Sequence, residues 1–213
     1  MDNIRVGLWQ EAIIRRVILN TANEYIGQPW LHLFPEGPIR EVAVWESKPI
    51  KYTLRWWKPN THPLNRQRER KPEFTLTVDT RRVLNIESKN WSENYKPLSL
   101  ATTKSHIVDR FQSERADRNV LVITALRLEK TARSEILRLL CQNGIACYLT
   151  GHKATSALDY ISYKRIRYLL KPLLCKVFTG QMVEIAPGQR KWRPAPEIHT
   201  APAASGEEYA ILR

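Results

Sequence analysis

The amino-acid sequence predicts an α/β protein in which helices flank a mixed β-sheet. An antiparallel hairpin is predicted over 71–91, where apolar residues alternate with polar ones on both sides of a short turn. Farther along, two apolar runs of strand length, 120–125 and 145–150, enclose a helical segment. This strand, helix, strand order is typical of a parallel crossover. Antiparallel and parallel pairs in one chain indicate a mixed sheet.

Length and charge narrow the possible functions. The chain has 213 residues, enough to bury one sizeable core. Its formal net charge of +13 favours a polyanionic partner, nucleic acid above all. No apolar stretch approaches the roughly 18 residues of a membrane span, and the N-terminus lacks the apolar core of a signal peptide. We therefore expect a soluble cytoplasmic protein that does not bind membranes.

The first half of the chain is predicted to supply one helix and two strands before the hairpin. Apolar residues at Val6, Trp9, Ile13 and Val17 recur at helical spacing and predict a helix over about 6–25. The runs 41–46 and 50–57 are rich in strand-forming residues and are joined by a Ser-Lys-Pro turn. A basic loop follows, with its cations Arg66, Arg68, Arg70 and Lys71 leading into the hairpin. These cations are candidates for phosphate contacts, and a solvated charge run is the competing interpretation.

The hairpin's apolar face restricts its pairing to two registers. About the turn at 79–81, Phe74 faces Ile86 and Leu76 faces Leu84. A register shifted by two residues, with Leu76 facing Ile86, fits about as well. A shift by one residue would bring apolar side chains opposite polar ones, which the period of two disfavours.

Three polar residues share the opposite face at the open end of the hairpin. Glu73 lies across from Glu87 in the first register and diagonal to it in the second, and Lys89 follows Glu87 on the same face. Two carboxylates that close repel each other unless a cation lies between them. Magnesium is such a cation, since it commonly takes one or two carboxylates together with waters and substrate phosphates. An ordinary solvated strand face is the alternative.

The second half is predicted to alternate helices and strands before a tail. Helices are expected over about 99–112, over 131–143, and from a capping box at Ser156 to Pro172. We divide the chain into a core, 1–150, a helical extension packed on it, 151–186, and a tail rich in proline and alanine, 187–213.

The motif Pro72-Glu73-Phe74, a hairpin and then Ile86-Glu87-Ser88-Lys89 resembles the PD-(D/E)xK nuclease superfamily. That superfamily includes restriction endonucleases, archaeal Holliday-junction resolvases and transposon-end nucleases. The resemblance covers roughly 1–150 and implies a restriction-endonuclease-like fold. It departs from the usual pattern at Glu73, where the superfamily usually has aspartate.

The resemblance implies a metal-dependent endonuclease acting on DNA. Many enzymes of this superfamily act as homodimers, because two strands must be cut. Glu73, Glu87 and the Ser88 backbone carbonyl would hold Mg²⁺, for which Mn²⁺ would substitute. Lys89 would position the attacking water. A further acid on the first helix, Glu24 or Glu11, would point toward the metal, and Lys104 on the helix over 99–112 is a candidate for an added polar side chain at the site. Two alternatives stay open: a nucleic-acid-binding protein that keeps the fold without cutting, and an RNA-cleaving enzyme that needs no metal.

Overall fold

A computed structural model describes residues 3–29, 31–37, 39–58, 71–89, 98–124, 132–195 and 211–212. Four helices lie in these ranges: α1 (Asn3–Ile26), α2 (segments Leu100–Thr103, the π-helical Lys104–Val108, and Asp109–Ser113), α3 (Arg133–Gln142) and α4 (Tyr160–Phe178). The strands are β1 (Leu31–Glu36), β2 (Arg40–Ser47), β3 (Ile50–Trp57), β4 (Phe74–Val78), β5 (Arg81–Lys89), β6 (Arg118–Ile123), β7 (Ile145–Leu149), β8 (Gln181–Ala186), β9 (Gln189–Arg193) and β10 (Ile211–Leu212).

The predicted α/β class and mixed sheet are confirmed. Strands β1 to β7 lie side by side in chain order. Neighbours from β1 to β5 are antiparallel, whereas β5, β6 and β7 are parallel. The two-residue β10 adds an antiparallel edge to β7, and β8 and β9 form a separate hairpin. Within the described ranges, no helix is long and apolar enough to cross a membrane.

The helices cover the two faces of the sheet unequally. On one face, α1 and α4 pack over β2 to β6 through a large apolar cluster that includes Ile14, Val17, Leu170 and Leu174. On the other face, α2 and α3 form a second cluster with β6 and β7. Among the described residues, no helix packs on the polar side of β3 and β4, where threonines alternate with the buried apolar residues.

A β-bulge settles the register of the β4–β5 hairpin. Phe74 faces Ile86 and Leu76 faces Leu84, so the first of the two predicted registers is confirmed at these rungs. The register then shifts by the extra residue Val83, and the turn tightens to Asp79-Thr80. Because an extra residue resets the alternation, Val83 joins the same apolar cluster as Leu84.

Two features of the C-terminal part correct the sequence prediction. Helix α4 passes through Pro172, where an end was predicted, and continues to Phe178. Proline lacks the N–H that would donate to the carbonyl of Tyr168, a residue exposed on the solvent side of the helix. Burial of Val177 and Phe178 beyond the proline offsets this cost. The tail was placed from residue 187, but β9 extends through Arg193 because Trp192 is buried in the main core.

The edge strand β1 was not predicted at all. Its sequence contains Pro35 and shows no apolar alternation. Proline lacks an N–H and is tolerated in a sheet at an edge position, which is where β1 lies.

Candidate active site

The two predicted acids meet at the open end of the hairpin. Glu73 immediately precedes β4, Glu87 lies in β5, and both are buried, Glu87 completely. The Glu73 N–H donates to Glu87 Oε2 over 3.2 Å, and the Ser88 N–H donates to Glu73 Oε2 over 2.8 Å. The Glu87 carboxylate is thus held by the backbone N–H of Glu73, and the Glu73 carboxylate is held by the backbone N–H of the residue that follows Glu87.

Two cations lie against this pair. Lys89 Nζ is 2.5 Å from Glu87 Oε1 and 4.0 Å from Glu73 Oε1, so one ammonium bridges both acids. Arg110, from the last segment of α2, donates through Nη1 to the same Glu87 Oε1. Burial alone would lower the pKa of Arg110, but the negative charges of Glu87 and Glu73 outweigh it and raise that pKa.

Arg110 is the site residue that the sequence analysis missed. The stripe of helix 99–112 suggested Lys104 as a polar residue facing inward, but Lys104 is exposed. Arg110 lies one turn after the fully buried Ile107 and next to the buried Phe111, at the margin of the inner stripe. Its position in the sequence, at the edge of the buried face of the helix and near the buried Ile107 and Phe111, is the signal that could have identified it.

The protonation of Glu73 reflects its surroundings. Burial raises the pKa of its carboxyl well above the usual range, and the negative charges of Glu87 and Glu11 add to the rise. Lys89 and Arg110 act in the opposite direction without cancelling it. A nearby positive charge therefore stabilises the ionised form of the Glu73 carboxyl.

Of the two helix acids, only Glu11 belongs to this neighbourhood. Its charge acts on both Glu73 and Arg110, and the adjacent Gln10 accepts a hydrogen bond from the Thr124 hydroxyl at the end of β6. Glu24 is instead bound by Arg167 and by Lys171 of α4, at 2.5 and 2.9 Å. The structure therefore does not bring Glu24 to the acid pair, because two cations of α4 bind its carboxylate.

The backbone of Ser88 lies beside the two acids. Its N–H points toward Glu73, and in an extended strand the carbonyl of the same residue points to the same side. The β4 ladder begins only at Phe74, and Pro72 has no N–H with which to pair with that carbonyl. The buried Ser88 hydroxyl has no hydrogen-bond partner.

The donor set fits magnesium better than zinc. Two carboxylates and one carbonyl are hard oxygen donors, and Mg²⁺ commonly takes one or two carboxylates and fills its remaining positions with water. Across the described part of the chain, no group of three His, Cys, Asp or Glu side chains is placed to hold a metal. The site therefore depends on the pair of acids.

The remaining predicted residues are placed as follows. Lys71 lies two residues before Glu73, with Nζ 3.7 Å from Glu114 Oε1. Arg66, Arg68 and Arg70 fall outside the described residues. The second Glu-x-Lys triplet, Glu46-Ser47-Lys48, forms the exposed β2–β3 turn, away from the paired acids.

Comparisons of the chain with protein-family models, with curated proteins and with solved structures find no match. The functional assignment consequently depends on the geometry of the site and on the motif that predicted it.

Proposed function

We propose that the protein is a Mg²⁺-dependent deoxyribonuclease of the PD-(D/E)xK type, which hydrolyses phosphodiester bonds in DNA. The observation that carries the proposal is the convergence of Glu73, Glu87 and Lys89 in one buried cluster. Isolated acids on a strand face would be solvated, whereas these two share a lysine and are held by backbone amides. The net charge of +13 supports a nucleic acid as substrate.

Each residue has a role in this proposal. Glu73, Glu87 and the Ser88 carbonyl would hold Mg²⁺, and Glu11 is the additional acid nearest to them. When bound, Mg²⁺ supplies Lewis acidity and lowers the pKa of a coordinated water. Lys89 orients the water and stabilises negative charge that develops on the phosphate. Arg110 supports Glu87 and adds positive charge at the same point.

A second candidate function is DNA binding without cleavage. One observation favours it: Glu87 Oε1 already accepts from both Lys89 and Arg110. If these two cations satisfy the buried charge permanently, the protein has no need of a metal. Cleavage in the presence of Mg²⁺ separates the two functions.

Cleavage of plasmid DNA by the Lys89→Ala variant tests the proposal. We expect at least about a hundredfold loss of the Mg²⁺-dependent rate, the scale on which a positioned proton-transfer group contributes. Affinity for DNA should hardly change, because one lysine among 34 basic residues adds little to the total attraction. Glu73→Gln and Glu87→Gln should also lose cleavage.

The matched controls are Asp79→Asn and Glu46→Gln. Asp79 is the only aspartate of the hairpin and lies six strand positions from Glu73, about 20 Å at roughly 3.3 Å per residue. Its carboxylate accepts from the Lys51 N–H at the turn over 2.9 Å, a structural role. Both controls should cut normally. An inactive Asp79→Asn beside an active Glu73→Gln would refute the site.

A further inference from the structure

An open groove runs along the polar face that the helices leave uncovered. It has a volume of about 1450 Å³, and its floor includes Thr53 of β3 and Thr75 and Thr77 of β4. The loop 114–117 after α2 forms one wall, and Glu36, Ile39 and Arg40 contribute to the other. Alternate residues of the same strands face the core, so this face is polar by the period of two.

The groove leads to the paired acids. Thr75 follows Glu73 on the same face of the chain, about 7 Å away at roughly 3.4 Å per residue. Lys71, which precedes Glu73 by two residues, also lines the groove. A polymer lying in the groove would therefore pass next to the Glu73–Glu87 pair.

One rung of the sheet in this groove has unsatisfied polar atoms. Thr75 pairs with Arg55 on one side and with Asn85 on the other. Thr75 is only 2% exposed, and neither its hydroxyl nor the Asn85 Oδ1 has a hydrogen-bond partner. Leaving a buried polar atom unpaired is costly, so such an atom facing a groove indicates a ligand that pairs with it.

Positive charge dominates the lining. Seven of the lining side chains are cationic and four are acidic, an excess of three. Glu114 is shared between Lys71 and Arg82 at 3.7 Å each, distances longer than a charge-assisted hydrogen bond. Lys51 and Arg115 are exposed at opposite sides of the groove. This arrangement suits phosphate groups.

The lining contains no aromatic side chain among the described residues. Proteins that hold single strands usually stack the bases on aromatic rings. The nearby Trp56 is buried in the core, and Trp57 is buried with the Arg40 guanidinium 4.6 Å from its ring. Neither offers a face for stacking, so the groove suits a backbone whose bases are already paired.

We propose that this groove binds the sugar–phosphate backbone of double-stranded DNA, with the Thr75 hydroxyl and the lining cations contacting phosphates. The proposal rests on the proposed function for its choice of DNA. The groove itself is a binding surface that acts before any bond is cut, so its test requires no cleavage.

The Thr75→Val variant tests the hydroxyl directly. Valine has nearly the same shape but no polar atom, so we expect roughly tenfold weaker binding of a blunt duplex in EDTA. Thermal stability should stay unchanged or rise, because an unpaired buried hydroxyl is removed. Weaker binding by a protein at least as stable cannot come from misfolding. Unchanged affinity would overturn the role of Thr75.

Charge reversal tests the groove as a whole. Lys51→Glu with Arg115→Glu should weaken duplex binding at least about tenfold and lower the salt slope by about two. The control is Lys164→Glu with Arg190→Glu, which makes the same charge change at exposed positions outside the groove. Equal effects in both pairs, or a single strand bound as tightly as the duplex, would overturn the proposal. If duplex binding depends on the groove but no condition gives cleavage, the nuclease function alone fails.

Discussion

Glu73 is the residue whose ionisation the fold shifts most clearly among those at the site. Burial raises its pKa, and the negative charge of Glu87 raises it further. An acid with a raised pKa in the folded state binds its proton more tightly there than in the unfolded chain. The free energy of unfolding therefore falls as pH rises from the pKa of glutamate in the unfolded chain, about 4.3, through the raised pKa of Glu73 in the folded protein.

The first prediction is that Glu73→Gln removes this loss of stability. Glutamine cannot ionise, yet its amide oxygen can still accept from the Ser88 N–H. In EDTA, the free energy of unfolding of the variant should exceed that of the wild type at pH 7 to 8. The difference should shrink as pH falls toward about 4.

Urea unfolding across this pH range measures the effect. Glu46→Gln is the matched control, because Glu46 is exposed on the β2–β3 turn. A difference between Glu73→Gln and the wild type that does not change with pH would mean that the charge of Glu73 is not its cause.

At the scale of single residues, the sequence predicted what alternation within one hairpin determines. Glu73, Glu87 and Lys89 share a face because side chains repeat every two residues in a strand. Arg110 comes from a helix 23 residues beyond Glu87, and its contact depends on how α2 packs against the sheet. The same reasoning applies to Glu24: helical spacing places it on a stripe but does not show that Arg167 and Lys171 of α4 will bind it.

At the scale of elements, the β8–β9 hairpin is attached to the core mainly by the buried Trp192, with the partly buried Met182 packed against the same cluster. Trp192 is 4% exposed, whereas the other residues of β9 are exposed. Its ring fills the space above Gly180, where an added Cβ would lie 2.4 Å from the ring. Strand β9 was not predicted because a single apolar residue among charged and polar ones has no periodicity to detect.

We predict a coupling between Trp192 and Gly180. Trp192→Ala should cost about 3–5 kcal/mol, as for other large aromatic residues removed from a core. Gly180→Ala should destabilise the wild type, because its new Cβ would overlap the indole. In the Trp192→Ala background the same change should be nearly neutral, because the ring is gone. A double-mutant cycle from urea unfolding measures the coupling, and additive costs would contradict the contact.

At the scale of the whole molecule, the sequence pattern predicts the mixed sheet, but it does not predict which face of the sheet stays uncovered. An antiparallel hairpin and a strand, helix, strand unit were enough to predict a mixed sheet. Which half of the sheet stays open depends on where α1, α2, α3 and α4 pack. The polar groove next to the acids could therefore be recognised only in the folded chain.

The last prediction concerns the net charge of +13 and the basic loop before the hairpin. Binding to duplex DNA in EDTA should fall by about a thousandfold or more between 50 and 200 mM salt, as expected for six or more neutralised phosphates. Replacing Arg66, Arg68 and Arg70 together by glutamine should lower the slope of log affinity against log salt by about three, roughly one for each lost phosphate contact. The control replaces Lys164, Arg190 and Lys191, three exposed cations outside the groove, and should leave the slope nearly unchanged. Equal slopes for the wild type and the loop variant would show that the loop is a solvated charge run, and the charge that attracts DNA would then belong to the groove.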